Sequence, residues 1–289
     1  IKLVDAFIRA GLNKHIISVV IGDADIGREL VSANDIRMVS FTGGMTTGEA
    51  ITKTAGLKKI AMDLGGNAPV IIMADSDLDK AVKATVSGSF WASGQNCIGT
   101  QRIFVERSIF DKFLSAFVEQ TKALNVGDPM NETTDVGPMI TPEQSMRIQS
   151  WVEDAIKQGA MLLTGHQRND NIYTPTVLTK VPTTSRLCMK EVFAPVVILE
   201  SFDCFDEVIS WANRVDYSLH AGIFTSNLET ALKAADSLEA SGVMINDSSD
   251  FRFDAMPFGG YKRGSLGREG VRYAIQEMTQ SKVICFNRE

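Results

Sequence analysis

Short apolar runs alternate with stretches of helical periodicity along this chain, and glycine pairs close two of those runs. Gly43-Gly44 follows the run 36–41 and opens a helical pattern, and Gly65-Gly66 follows the run 59–64. This alternation constrains the fold more than any other feature. Strands separated by single helices cannot pair as adjacent hairpins, so they lie parallel, with helices on both faces of a doubly wound sheet.

The pattern can be followed element by element. Leu3, Phe7, Ile8 and Leu12 recur at helical spacing, with Gly11 as a stop signal. The apolar run 16–21 predicts a buried strand closed by Gly22-Asp23, followed by a helix over 26–31. A strand over 36–41, a helix opened by Gly43-Gly44 and a strand over 59–64 complete this part. Gly65-Gly66-Asn67 is a turn signal at which the character changes, and a domain boundary is expected there. Residues 69–73 predict a short strand, and Asp75 or Ser76 is expected to cap the next helix. That helix carries Leu78, Val82, Thr85, Val86 and Phe90 on one stripe, and Gly94 interrupts the pattern just before Gln95-Asn96-Cys97. A strand over 102–106 and an amphipathic helix over 109–124 follow, and the alternation continues to about Asn246. Residues 257–267 are rich in turn formers, and a tail over 281–287 alternates like an edge or bridging strand.

Composition narrows the class. With 289 residues, 44% hydrophobic and 22% charged, the chain can bury a sizeable core as a folded rather than disordered protein. Its net charge is -6 with scattered basic residues, which argues against a nucleic-acid partner, and its apolar runs are too short to span a bilayer. The cysteines are Cys97, Cys188, Cys204 and Cys285, without a CxxC, and the histidines offer no metal-ligand spacing. No disulfide framework or metal is expected, and the default setting is a reducing, cytoplasmic one. The sequence starts at Ile1 within a helical pattern and reads as a fragment that lacks its natural N-terminus.

Several residues invite a chemical reading. Cys97 sits between turn-forming residues, where a thiol can face a substrate and its own N–H can meet a developing oxyanion; the alternative is a small buried hydrophobe. Asp63, at the end of a strand beside Leu64-Gly65-Gly66, is placed to activate water or simply to form the turn. Gly43 and Gly44 would let a phosphate approach a helix N-terminus, although this is not the GxGxxG fingerprint. Glu191 offers a carboxylate for ribose hydroxyls, with Phe193 two residues on; equally, the segment is a loop before the strand 196–199 with Phe193 in the core. Arg252 lies between two aromatics and two acids, where a local salt bridge or ring stacking is usual.

Taken in order, these segments resemble the aldehyde dehydrogenase superfamily over essentially the whole chain. Phe41-Thr42-Gly43-Gly44 is similar to its FTGS segment, Asp63-Leu64-Gly65-Gly66 to ELGG, and Gly94-Gln95-Asn96-Cys97 to GQxC. Glu191 to Pro195 resembles ExFGP, and Pro257 to Lys262 with Gly267-Arg268-Glu269 resembles PFGGxK and GRE. The resemblance implies an α/β fold: the remainder of a Rossmann-like cofactor domain over 1–64, a catalytic cysteine domain over 65–270, and a C-terminal segment over 271–289 with a bridging strand. It further implies Cys97 as nucleophile and Asp63 as base, with NAD or NADP held by Gly43, Gly44, Leu64, Gly65, Glu191 and Phe193. A homodimer or homotetramer is implied for the full-length protein.

The expected reaction oxidises an aldehyde to the acid through a cysteine thiohemiacetal and thioester. The segment Asn246 to Arg252 looks most like lactaldehyde and glyceraldehyde dehydrogenase-like members, with succinate-semialdehyde enzymes as neighbours. On that likeness Arg252 would pair with an anionic group of a short aldehyde and Phe258 would line the apolar wall. Asp63 stands where the family has Glu, Ala92 where it has Asn, Ala194 where it has Gly, and Gly264-Ser265 where it has Ser-Gly. The shorter base leaves open transfer of the acyl group to coenzyme A. Without the segments that precede Ile1, the fragment alone is expected to be inactive, and an inactive truncated member is the remaining alternative.

Overall fold

Val70 and Ile72 face one side of a strand and Ile71 the other, and all three are fully buried. Such a strand is covered on both faces, as in a parallel sheet sandwiched by helices. The computed structural model describes residues 1–288. Its first elements are α1 (Lys2–Arg9), α2 (Ala24–Ser32), β1 (Met38–Gly43), α3 (Met45–Ala55), β2 (Lys59–Leu64) and β3 (Ala68–Ile72). There follow α4 (Leu78–Phe90), β4 (Thr100–Glu106), α5 (Phe110–Lys122), α6 (Pro142–Lys157) and β5 (Met161–Thr164). Next come β6 (Arg168–Asn169), β7 (Ile172–Tyr173), β8 (Thr176–Thr179), α7 (Arg186–Met189), β9 (Val196–Phe202) and α8 (Phe205–Ala212). The last are β10 (Tyr217–Ser218), β11 (His220–Phe224), α9 (Leu228–Ser237), β12 (Gly242–Ile245), β13 (Tyr261–Lys262), β14 (Ser265–Leu266) and α10 (Val271–Met278).

The large sheet has the order β12-β11-β3-β4-β9-β8-β5, parallel except for the antiparallel edge pair β5–β8. Alternate residues of β3 and β4 feed two cores. Val70, Ile72, Ile103 and Val105 pack with Val82, Val86 and Phe90 of α4 and with Phe113 and Phe117 of α5. Ile71 and Phe104 pack on the opposite face with Val208 and Ile209 of α8 and Ala234 of α9. Each fully buried Val, Ile or Phe contributes roughly 1.5–3 kcal/mol, so the sheet is the rigid frame.

A second sheet holds β1 and β2 in parallel register, with β14 antiparallel on β2. The chain leaves this sheet across Gly65-Gly66-Asn67 and enters the large one at β3. The helix α3 lies close on β2 because Gly48 leaves room for the Leu64 side chain. Arg102 anchors β4 to the end of α8: its buried guanidinium donates to the carbonyls of Asn67, Trp211 and Ala212 at 2.9–3.0 Å.

Two expectations are corrected here, the strand over 16–21 and the cap of α4. The run 16–21 forms no strand among the described residues, and Ile16 and Ile21 are 69% and 74% exposed. The tail 281–287 pairs with nothing within this single chain, and Val283 and Phe286 are exposed, which leaves its reading as a strand that bridges to another copy an expectation. Both runs have the apolar pattern of a strand, but a ladder also needs a partner edge, which the pattern does not supply. The cap of α4 is Asp77, which accepts from the Lys80 N–H, whereas Asp75 accepts from the Thr225 hydroxyl and the Ser226 N–H and hydroxyl. Among the described residues no helix is long and apolar enough to cross a membrane, and no three metal-binding side chains converge.

Candidate active site

The turn that carries Cys97 is set by backbone conformation. After α4 ends at Phe90, Ala92, Ser93 and Gly94 all have left-handed φ values, 52°, 58° and 66°. For Ala and Ser this costs roughly 1–2 kcal/mol each, so the turn persists only because its surroundings hold it. Ser93 Oγ donates to the Gly137 carbonyl at 3.0 Å, and Gln95 Oε1 accepts the Ile140 N–H at 2.8 Å. At Gly94 a Cβ would collide with the carbonyl of Ala194. The sequence signalled only the glycine; the two strained residues before it carried no signal.

Asp63 approaches the same turn from β2. The Cys97 thiol donates to Asp63 Oδ2 over 3.9 Å, while Oδ1 is buried and unpartnered among the described residues. Burial, together with the nearby Glu269 carboxylate, raises the Asp63 carboxyl from its usual 3.8 to about 6, against the pull of Arg252 and the Cys97 thiol. The Cys97 thiol is pushed up to about 12, chiefly by burial and then by the charges of Asp63 and Glu191; its own main-chain N–H acts the other way. The resting group is therefore a thiol beside a carboxylate, and attack requires proton transfer to that neighbour.

Glu191 is held by a third segment. Gly66 N–H donates to Glu191 Oε1 at 3.1 Å, and Gly65, at φ +36°, has no room for a side chain because the Glu191 carboxylate lies there. Asn67 and Gln101 side-chain amides both donate to the Lys190 carbonyl, and Gln101 Oε1 accepts the Val192 N–H, fixing the loop before and after Glu191. Burial raises the Glu191 carboxyl to about 7; the Gly66 N–H and Arg147 oppose this. Phe193 adopts φ 46° and is 40% exposed, so its ring is not in the core as the loop reading had it. A left-handed turn throws it outward.

These segments share one cleft of about 640 Å³. Its walls include Gly43, Gly44, Asp63, Gly65, Cys97, Glu191 and Phe193. Leu64 lies outside it, buried against α3. Trp91, in the turn after α4, and Gln144 and Arg147, on α6, also line the cleft and were missed, because none stands in a motif; Arg147 donates to the Val192 carbonyl at 2.7 Å and stacks on Trp151. A separate cleft of about 450 Å³ opens between α2 and α3 beside Phe41 and Val39. It too was not signalled.

Phe258 and Arg252 stand behind the nucleophile. Phe258 is buried with Ile98 and Leu219, in contact with Cys97, and is not on the cleft wall. The Arg252 guanidinium lies 3.9 Å from the centre of the Phe258 ring and pairs with Glu269 at 3.9 Å. The local pairing expected with Asp250 or Asp254 does not form: Asp250 accepts instead from the Ser248 hydroxyl.

Comparison with known proteins adds a family. The family model described as "Aldehyde dehydrogenase family" matches residues 1–284. An aspartate-semialdehyde dehydrogenase of Pseudomonas canavaninivorans is 58% identical over 99% of this chain, which spans 61% of that relative's length. A lactaldehyde dehydrogenase of Methanocaldococcus jannaschii is 47% identical over 91% of the chain and 56% of its own length. The crystal structure of a glyceraldehyde-3-phosphate dehydrogenase from Methanocaldococcus jannaschii, complexed with NADP, superposes with a TM-score of 0.92 at 45% identity. That match covers 96% of this chain and 60% of the other.

Proposed function

The chain belongs to the aldehyde dehydrogenase family, and we propose that it carries the reacting cysteine and its base for NAD- or NADP-dependent oxidation of a short aldehyde to the carboxylic acid. The observation that carries this reading is the Cys97–Asp63 contact of 3.9 Å at the wall of a cleft that Glu191 and Phe193 also line.

The residues suit a dinucleotide. No side chain caps the N-terminus of α3, where Gly44 leaves space for a pyrophosphate, and the cleft between α2 and α3 has the apolar walls a flat base requires. Glu191 would hold the ribose hydroxyls, and the outward Phe193 ring would rest against the nicotinamide end. When bound, the oxidised cofactor supplies a hydride acceptor and a positive charge that favours the Cys97 thiolate. In the chain's own chemistry, Asp63 accepts the thiol proton as Cys97 Sγ bonds to the aldehyde carbon. The main-chain N–H of Cys97 faces the developing oxyanion. After oxidation leaves a thioester, Asp63 gives up the thiol proton to solvent and, as a carboxylate again, draws a proton from water; the hydroxide displaces the sulfur, and Asp63 returns that proton to the departing Cys97 thiolate as the acid is released. Residues 1–64 would then serve cofactor binding and 65–270 catalysis, with β14 returning to the cofactor-side sheet.

We further propose an anionic or hydroxylated substrate. The relatives are named for aspartate semialdehyde, lactaldehyde and glyceraldehyde 3-phosphate, and the Arg252 guanidinium lies 3.9 Å from the ring of Phe258, in the buried cluster against which Cys97 packs. Steady-state rates of the full-length protein and its Arg252→Ala variant on anionic and neutral aldehydes test this. A loss confined to anionic substrates supports it; equal losses on both would refute it. For the reaction itself, Cys97→Ala in the full-length protein must abolish acid formation from aldehyde and cofactor, and retained turnover would refute the assignment.

A further inference from the structure

Beside β4, a cavity of about 140 Å³ opens between β9, α7 and α8, and Cys97 is not among its walls. Its walls combine the aromatic rings of Phe104 and Trp211 with two cations, Arg102 and Arg214. Arg102 is 5% exposed, and its Nε–H is buried with no partner among the described residues. Its other donors reach only main-chain carbonyls. A buried guanidinium without a carboxylate partner is costly, and here burial pulls its pKa down to about 10. Such a group seeks an anion. Glu200, also on the wall, does not serve: it accepts the Val181 N–H at 2.7 Å, and burial lifts its carboxyl to about 7.

We infer that this cavity is a binding site for a small monocarboxylate, its carboxylate seated on Arg102 and Arg214 and its short alkyl end between Phe104 and Trp211. The volume selects the size, since a cavity of about 150 Å³ holds roughly one six-atom ring. The aromatic walls disfavour a fully hydrated inorganic anion. The site is also placed to be felt at the active centre. Cys188 and Met189 form part of its wall, and Glu191 follows two residues later in a loop fixed through the Cys188 and Lys190 carbonyls. Short carboxylates are the product class of the reaction proposed above; that link rests on the proposed function, whereas binding itself does not.

Titration calorimetry with sodium propionate, without cofactor or aldehyde and against matched sodium chloride, tests the site. Saturable binding is expected, with a dissociation constant on the order of millimolar. It is expected to weaken at least about fivefold in Arg214→Gln and to vanish in Arg102→Gln, with sodium sulfate binding more weakly than propionate. Arg214 is exposed, so Arg214→Gln decides the matter if Arg102→Gln fails to fold. No heat beyond the chloride control, unchanged affinity in Arg214→Gln, or sulfate binding tighter than propionate would each overturn the proposal.

Discussion

Cys97 and Asp63 meet across two sheets: the sulfur comes from a turn after α4, the carboxylate from the end of β2, and 3.9 Å separates Sγ from Oδ2. Asp63 Oδ1 is left buried and unpartnered. Oδ2 is thus the oxygen placed to take the thiol proton, while Oδ1 is sealed from solvent. The shorter Asp, in place of the family's Glu, still reaches the sulfur.

Deacylation is expected to follow the ionisation of Asp63. Its carboxyl titrates near 6, so hydrolysis of a Cys97 thioester should rise with pH to about that value and level off above it. Asp63→Asn should slow hydrolysis by about 100-fold or more and remove the inflection. Stopped-flow rates across the pH range check both.

The same burial has a thermodynamic sign. Asp63 binds its proton more tightly folded (about 6) than unfolded (3.8). Below the lower value it is protonated in both states and costs nothing; above the higher value its ionised form is penalised. Stability should therefore fall as pH rises through this window, by at most roughly 3 kcal/mol. Asp63→Asn is expected to be more stable than wild type near pH 8, with the gap closing below about pH 4, in urea unfolding.

Ala92 occupies left-handed backbone, φ 52° and ψ 30°, where Asn or Gly is better tolerated. Ala92→Gly should raise stability by about 0.5–1 kcal/mol, and Ala92→Asn by a few tenths. Gly94→Ala should do the opposite, losing roughly 2–4 kcal/mol because the added carbon meets the Ala194 carbonyl at positive φ. Denaturant midpoints distinguish the two directions.

Glu191→Gln should keep the Gly66 hydrogen bond and the loop but weaken cofactor binding by about tenfold, since a charge-assisted contact to ribose becomes a neutral one. Fluorescence titration with NAD and NADP measures this directly.

Much of the fold was legible because its signals are local. The run 59–64 coincides with β2, and the stripe from Leu78 to Phe90 is the buried face of α4. Asp75, Ser76 and Asp77 are all suitable caps, and only the register of the helix selects Asp77. The run 16–21 failed as a strand because pairing depends on a remote edge, and the tail 281–287 finds no edge within one chain. In the cleft, titratable and glycine residues stood out through their neighbours. Arg147 and Trp91 did not, because their place follows from how α6 and the turn after α4 pack. Phe258 is buried in the cluster against which Cys97 packs and does not line the cleft, so its place beside a substrate stays an expectation.

Intact-protein mass spectrometry after exposure to p-nitrophenyl acetate tests the central claim without cofactor. An acetyl group should appear on Cys97 alone, forming readily and then leaving in wild type, forming slowly but persisting in Asp63→Asn, and absent in Cys97→Ala. Acetylation that survives Cys97→Ala, or an adduct equally short-lived in Asp63→Asn, would contradict the account.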